Sequence, residues 1–203
     1  MDRNRVARAV GLIAWGYLLL CFHLTVGTIV LVPNWLCYIF FLKAMGGLEP
    51  VVPAVKLLFP LGVLLGVWEG LLWGMSAVGI QDFTLLYGLQ LVASVLMIYF
   101  HFQFLTNLAE IAAQAMLPQR IPLLCLRTIR TLFTTVTALP IAWTEVYPLA
   151  VVLGIVGVVI GICTCVVLFG LRKALKRGGL PLQPEMGAAM TSERGPPSGK
   201  SPK

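Results

Sequence analysis

The stretch YPLAVVLGIVGVVIGICTCVVLFGLRKALKR, residues 147–177, decides the fold of this chain. Its first part, residues 147–171, contains no charged side chain, and about 20 mainly apolar residues are enough for a helix to cross a bilayer. A basic cluster follows directly: Arg172, Lys173, Lys176 and Arg177. An apolar run that ends in Lys and Arg is typical of a transmembrane helix whose basic end lies in the cytoplasm.

Five further apolar runs precede this one, and prolines or polar turns separate them. The six runs cover residues 9–29, 33–48, 57–80, 83–105, 123–143 and 147–171. Because each has the character of a membrane span, the sequence predicts an all-α polytopic membrane bundle built from three helical hairpins. Five or four spans are the alternatives, since the second run is short and the fifth carries Arg127 and Arg130.

The positions of the basic residues decide between these alternatives. All fifteen Lys and Arg residues fall into clusters that alternate with charge-poor turns. With six spans, the outer turns contain Asn34, Asp82 and Glu145 but no Lys or Arg. If the second run were re-entrant, Lys43 and Lys56 would lie outside, against the positive-inside bias. The sequence therefore predicts six spans in a cell (inner) membrane, with both termini in the cytoplasm.

The composition agrees with a membrane protein. Hydrophobic residues make up 59% and charged residues 11% of the chain, whereas soluble domains carry about 25% charged residues. The net charge of +7 comes from side chains that flank apolar runs, which indicates membrane orientation rather than nucleic-acid binding. We therefore expect the lipid bilayer as the main partner of the protein and no nucleic acid.

Three segments follow from this pattern along the chain. Residues 1–8 form a short basic cytoplasmic N-terminus, and residues 9–177 form the transmembrane domain. Residues 178–203 are rich in Gly and Pro and have few apolar side chains. A segment of that composition cannot bury enough apolar surface to fold, so we expect it to be a disordered cytoplasmic tail.

The sharpest local pattern is a stripe of glycines in the third run. Its members recur every four residues: Gly62, Gly66, Gly70 and Gly74. Residues at this spacing share one helix face, and the absence of side chains there lets another backbone approach closely. This glycine zipper predicts helix packing, either against a neighbouring span or between copies of the protein. A shorter stripe in the sixth run is a candidate complement: Gly154, Gly157 and Gly161.

A carboxylate in the middle of the third run is the main candidate for a functional side chain. Glu69 lies about 18 Å from the start of its run, at a rise of about 1.5 Å per residue. A charge at that depth is costly unless it is protonated, paired or hydrated. Three polar residues at comparable depth would complete a proton relay or a small polar binding site: His23, Gln90 and Ser94. The alternative is a protonated Glu69 that only links helices.

The region after the fourth run has the pattern of a helix on the membrane surface. Four apolar residues recur there at helical spacing, opposite polar ones: Leu108, Ile111, Ala112 and Ala115. This pattern predicts an amphipathic helix at the interface. His101 and Gln103 are expected near the inner surface, and Arg127 and Arg130 are expected to extend their side chains to it.

Common sequence motifs of catalysis and cofactor binding are missing from the chain. It contains no Gly-rich phosphate loop followed by Lys, no His-Glu-x-x-His metal helix and no Gly-x-Ser-x-Gly elbow. The five cysteines are an odd number, and their predicted positions favour neither a disulfide nor a metal site. We therefore expect a protein that is not an enzyme and has no catalytic residues, metal or cofactor.

The segment LTVGTIVLVPNWLCYIFFLKAMGGL, residues 24–48, resembles a group of small uncharacterised multi-pass membrane proteins of Gram-positive bacteria. In that group a G-[ST]-I-D-[IL]-L-P-D-[FW]-[IL]-G-Y pattern follows the first helix. The residues of this chain that match it include Gly27, Thr28, Ile29, Pro33, Trp35, Leu36 and Tyr38. Departures occur where the group has Asp, Asp and Gly, at Val30, Asn34 and Cys37. The resemblance implies a bacterial inner-membrane setting but no activity.

Two functions are compatible with these features. The leading prediction is a non-enzymatic membrane component that assembles through its Gly-rich third helix, as a homo-oligomer or with a membrane protein partner. The alternative is a small proton-coupled transporter or permease that uses the intramembrane Glu69.

Overall fold

The computed structural model of this protein describes residues 3–21, 25–26, 29–30, 33–79, 87–139 and 147–178. Several sequence predictions fall outside the described residues. They concern His23, the turns at Asp82 and Glu145, and the tail beyond Gly178.

The described residues form six α-helices: α1 Arg3–Cys21, α2 Trp35–Leu48, α3 Phe59–Ala77, α4 Tyr87–Gln114, α5 Arg120–Thr137 and α6 Tyr147–Arg177. A 3₁₀-helix, Pro53–Leu58, leads directly into α3. Three segments are long and apolar enough to cross a membrane: Pro53–Ala77, Gly88–Gln114 and Pro148–Arg177. The predicted all-α class is confirmed, and the three apolar segments support a membrane location of the protein.

Proline and glycine set several helix ends. Pro60 occupies the first turn of α3, where its missing N–H costs no helical hydrogen bond. Gly79 follows α3 with φ 83°, and Gly178 follows α6 with φ 90°. Glycine adopts this left-handed conformation readily, because it has no Cβ atom. These residues fix the ends of two of the membrane-crossing segments.

The first predicted span, residues 9–29, is wrong in its bounds. α1 begins at Arg3 and ends at Cys21. The following strands, β1 Thr25–Val26 and β2 Ile29–Val30, pair antiparallel. All four strand residues are β-branched, and such side chains prefer extended backbone. The apolar run is therefore divided between a helix and a small ladder.

The predicted surface helix after residue 105 is also wrong. α4 continues to Gln114, and the four apolar residues that suggested an interfacial face are buried within the protein: Leu108, Ile111, Ala112 and Ala115. Their apolar surface is covered by neighbouring protein rather than by lipid headgroups. This part of α4 therefore belongs to the core.

The six described helices form a closed ring in chain order. Each helix packs against the next one in the chain, and α6 returns to α1. Arg5, near the start of α1, donates a hydrogen bond to the carbonyl of Gly46 near the end of α2, with 2.8 Å between Nη2 and O. Arg3, at the start of α1, lies beside Gly178 at the end of α6. α1 therefore runs antiparallel to both of its neighbours.

Aromatic side chains fill the interior of the ring. Tyr17, Phe41, Phe100 and Phe104 are fully buried, and their ring centroids lie between 5.1 and 6.0 Å apart. These residues come from α1, α2 and α4, so the aromatic cluster links helices across the ring as well as along it.

The outside of the ring is apolar. Large hydrophobic side chains of α3, α4 and α6 are exposed there, among them Leu71, Val95 and Val159. Soluble monomers rarely expose contiguous apolar patches of this kind. The hydrocarbon core of a bilayer provides apolar surroundings for such a surface, and the backbone polar groups of a helix are satisfied within it.

Candidate functional site

The glycine stripe of α3 faces α2 within the same chain. A Cβ atom at Gly66 would lie 3.2 Å from Cβ of Tyr38, and Gly62 and Gly70 also face residues of α2. Among the residues that the structure describes, none comes within 4 Å of the Cβ position of Gly74. Gly62 and Gly66 thus let α2 approach α3 closely, whereas a Cβ atom at Gly70 would make only an ordinary van der Waals contact with Trp35.

α1 and α2 approach each other even more closely, at two glycines outside the predicted stripe. A Cβ atom at Gly16 would lie 2.6 Å from the ring of Phe41, and one at Gly47 would lie 2.8 Å from Cβ of Ala9. Real Cβ atoms essentially never make contacts this short. These contacts were not predicted, because each involves a single glycine and no periodic pattern marks it.

Glu69, the predicted centre of an intramembrane polar site, lies between α3 and α2. It is half-buried, and the side-chain amide of Asn34 donates a hydrogen bond to it, with 3.4 Å between Nδ2 and Oε2. Of the predicted partners, Ser94 donates instead to the carbonyl of Gln90 in its own helix, at 2.8 Å, and Gln90 is exposed. His23 lies outside the described residues. The contact with Asn34 was not predicted.

A buried polar pair joins α1 to α4. The hydroxyl of Tyr17 and Nδ1 of His101 share a hydrogen bond of 3.1 Å, and both side chains are buried. The expected position of His101 near the inner surface is wrong. Since α4 extends to Gln114, His101 lies in the middle of the helix and faces α1. Gln103 bonds to Asn107 on the same helix, with 3.3 Å between Nε2 and Oδ1.

Arg130 faces the interior of the ring rather than the membrane surface. Its guanidinium carbon lies 4.8 Å from the ring centroid of Tyr17, a cation–π contact. α5 begins at Arg120, so Arg130 lies about 15 Å along the helix. The expectation that Arg130 extends to the inner surface is therefore wrong, because its side chain is held against α1. Its Nε atom is buried and has no hydrogen-bond partner in the described part of the chain.

A cavity of about 340 Å³ lies between α5 and α6 and reaches the end of α1 at Cys21. Thr137 at the end of α5 and Gly154 on α6 line one part of the cavity, and Arg130 and Gly161 line the other part, about two turns away along each helix. The cavity therefore extends about 10 Å along the two helices, and Arg130 provides a positive charge in its lining. We call it the Arg130 cavity.

The second glycine stripe, on α6, provides one wall of this cavity. A Cβ atom at Gly157 would lie 3.2 Å from the ring of Phe133 on α5, and Gly161 is in close contact with Cys21. The described residues leave the Cβ position of Gly154 open to beyond 4 Å. Gly157 and Gly161 therefore let α6 pack closely against α5 and α1. Around Gly154, at the start of the stripe, space remains between the helices.

The electrostatics of the Arg130 cavity favour an anion. Arginine keeps its positive charge in proteins, and in the part of the chain that the structure describes no carboxylate is paired with Arg130. Apolar surroundings screen a charge poorly, so the attraction for an anion is strong there. The same residues offer no metal site, since no group of three His, Cys, Asp or Glu side chains converges among them.

The sequence contains one local signal for this site. Arg130, Phe133 and Thr137 recur at helical spacing and so share a face of α5. A charged residue on the same face as an aromatic ring indicates an inward-facing side of a helix. Tyr17, which holds the guanidinium, has no such local signal, because its role depends on which helices are neighbours.

Comparisons with family models, curated proteins and solved structures found no match for this chain. The described residues form a helical fold with three segments long and apolar enough to cross a membrane, and a charged side chain lines a cavity between α5 and α6. The resemblance of residues 24–48 to a Gram-positive membrane protein group stays a prediction.

Proposed function

We propose that the protein is a small non-enzymatic membrane protein of six spans that binds a solute in the Arg130 cavity and moves it across the membrane. The position of Arg130 carries this proposal: it lies almost three turns into α5, is stacked on Tyr17 and lines a cavity. A charged side chain within a membrane is costly, and where one occurs it commonly marks a substrate or ion pathway.

Six crossings of a cell (inner) membrane, with both termini in the cytoplasm, are part of this proposal. The pairing of helix ends supports it, because Arg5 bonds to Gly46 and Arg3 lies beside Gly178. The basic start of α1 therefore lies at the same end of the ring as the C-terminal ends of α2 and α6. The positive-inside bias assigns this end to the cytoplasm.

The shorter and more polar helices are covered by their neighbours, which supports their crossing as well. α2 packs between α1 and α3, and α5 packs between α4 and α6. On α5, Arg127 donates a hydrogen bond to Thr106 of α4, with 3.2 Å between Nη1 and Oγ1. Its guanidinium also lies 4.4 Å from the ring centroid of Phe102. Protein groups therefore surround a charge that lipid alone would disfavour.

In this proposal the predicted glycine zipper and Glu69 stabilise the packing of α3 against α2. Gly66 admits Tyr38 of α2, and Glu69 accepts a hydrogen bond from Asn34 at the start of α2. The solute site of this proposal is thus centred on Arg130 rather than on the predicted carboxylate. Assembly with a second copy or a membrane protein partner is a second candidate function, and the open position at Gly74 favours it.

Cysteine labelling on α6 tests whether water reaches the Arg130 cavity. Val158 lines the cavity, and Val159 is the next residue on the helix. Their side chains are similarly exposed, at 47% and 53%, but consecutive residues point about 100° apart on a helix. In a variant whose native cysteines are replaced by serine, we expect Val158→Cys to react with a water-soluble, membrane-impermeant thiol reagent added outside.

The matched control is Val159→Cys, which we expect to remain unlabelled because its side chain faces hydrocarbon. Both variants should react fully after denaturation in detergent, which shows that each thiol is intact. Equal labelling of the two positions, or labelling of Val159→Cys alone, would contradict an aqueous cavity and with it the proposed function.

A further inference from the structure

We infer that the Arg130 cavity takes a small organic anion, a monocarboxylate with an apolar body, from the water on the outer side of the membrane. This inference rests on the proposed function and adds the chemical class of the solute. Four features of the cavity determine the class: its charge, its walls, its volume and its depth.

The charge of the cavity matches one carboxylate. Arg130 is the cation in its lining, and the planar fork of a guanidinium binds a carboxylate through two parallel hydrogen bonds. A single negative charge would neutralise it. A dianion would bring a second charge next to apolar walls, where an uncompensated charge is costly. A monoanion is therefore favoured over a dicarboxylate or a phosphate ester.

The walls of the cavity match an apolar body attached to that carboxylate. Leu20, Phe133, Leu153 and Val158 line it, and the ring of Phe133 offers a surface for an aromatic or branched aliphatic group. Glycines of α6 line the remaining wall, and without side chains they leave this space open. Thr137 is a hydroxyl residue of the lining, but its hydroxyl already donates to the carbonyls of Phe133 and Thr134. A fully polar anion would therefore lose its water there and gain few hydrogen bonds along the walls.

The volume and depth of the cavity argue against a membrane lipid. Its volume of about 340 Å³ lies at the lower end of the roughly 300–1,000 Å³ range of small-molecule sites. Arg130 lies about 15 Å along α5, whereas lipid phosphates lie outside the hydrocarbon core, which is about 30 Å thick. A lipid would have to bring its headgroup to the middle of the membrane to reach the guanidinium.

Binding of benzoate to the purified full-length protein in detergent tests the inference. The dissociation constant is obtained from the rise of the unfolding temperature with ligand concentration. We expect benzoate to bind and its neutral counterpart benzamide to bind about tenfold more weakly or worse, because only the carboxylate forms charge-assisted hydrogen bonds. Inorganic phosphate and phosphatidylglycerol are the probes for a bare anion and for a lipid.

Two variants locate the site. Arg130→Gln removes the charge, and we expect it to raise the dissociation constant of benzoate about tenfold or more. Gly154→Leu places a side chain in the open part of the cavity and is expected to block it without disturbing the fold. Gly74→Leu is the matched control, since its Cβ position is equally open among the described residues but lies on α3. It should bind benzoate normally.

The inference is overturned if benzamide binds as tightly as benzoate, if neither variant weakens benzoate, or if only phosphate or phosphatidylglycerol stabilises the protein. If Arg130→Gln does not fold, the Gly154→Leu variant alone tests the location of the site. Unchanged benzoate binding by Gly154→Leu would then show that benzoate does not bind in the Arg130 cavity. Binding in detergent does not depend on which side of the membrane the cavity faces. If benzoate does not bind but Val158→Cys is labelled, only the proposed class of solute is wrong. If Val158→Cys is not labelled, the proposed function itself is wrong.

Discussion

Replacing Gly47 by leucine is expected to lower the free energy of unfolding by about 2 kcal/mol or more, because it forces α1 and α2 apart. A Cβ atom at this position would lie 2.8 Å from Cβ of Ala9. Ala9 has no flexible side chain that can move aside, so the clash reaches the backbone of α1. The measurement is the midpoint of detergent-induced unfolding of the purified protein, followed by helix content.

The adjacent residue provides the control for this prediction. Gly46 lies on the same turn of α2, and no described residue comes within 4 Å of its Cβ position. Gly46→Leu should therefore keep or raise the stability, by up to about 1 kcal/mol from the better helix propensity of leucine. Equal stability of the two variants would show that α1 and α2 are not in contact at Gly47.

Replacing Tyr17 by alanine is expected to lower the free energy of unfolding by about 3–5 kcal/mol, as for other large aromatic residues removed from a core. Tyr17 is fully buried and contacts three different helices, through Phe41, His101 and Arg130. Its loss leaves a cavity, removes the hydrogen-bond partner of His101 and takes away the ring beneath the guanidinium. Unfolding in mixed detergent micelles measures the effect.

Tyr17→Phe separates the hydrogen bond from the packing. The ring remains in place and only the hydroxyl is removed, so we expect a loss of about 1 kcal/mol. The contact with Arg130 should persist, since it uses the face of the ring. If Tyr17→Phe were as damaging as Tyr17→Ala, the hydroxyl rather than the aromatic cluster would hold α1 to α4.

Local sequence signals located most of the helices. The run of residues 147–171 was predicted to begin where α6 begins, at Tyr147, because an unbroken apolar stretch leaves no other structure for its backbone in a membrane. Pro33 and Asn34 preceded α2 as expected, and α2 ends at Leu48. The same signals misjudged residues 25–26 and 29–30, which form a strand ladder because β-branched side chains prefer extended backbone.

The candidate site could be predicted only in part, because it depends on which helices are neighbours. The sequence shows that Glu69 lies in the third run and is costly there, but its contact with Asn34 follows from the packing of α2 on α3. Arg130 was expected to reach the inner surface, since its position along the chain does not reveal that its face of α5 meets Tyr17 of α1. Helix periodicity predicts on which face of a helix a side chain lies. Which residue it contacts depends on how the helices are arranged around the ring.

Labelling at the two ends of the third helical segment tests the central claim most directly, that basic residues stay on the cytoplasmic side while the helices cross. Lys56 precedes α3 and Val78 follows it, and both side chains are highly exposed, at 77% and 80%. In right-side-out vesicles of a cysteine-free variant, Val78→Cys should react with an impermeant thiol reagent, and Lys56→Cys should react only after permeabilisation. Reaction of Lys56→Cys in sealed vesicles, with or without Val78→Cys, would contradict the proposed threading of the chain.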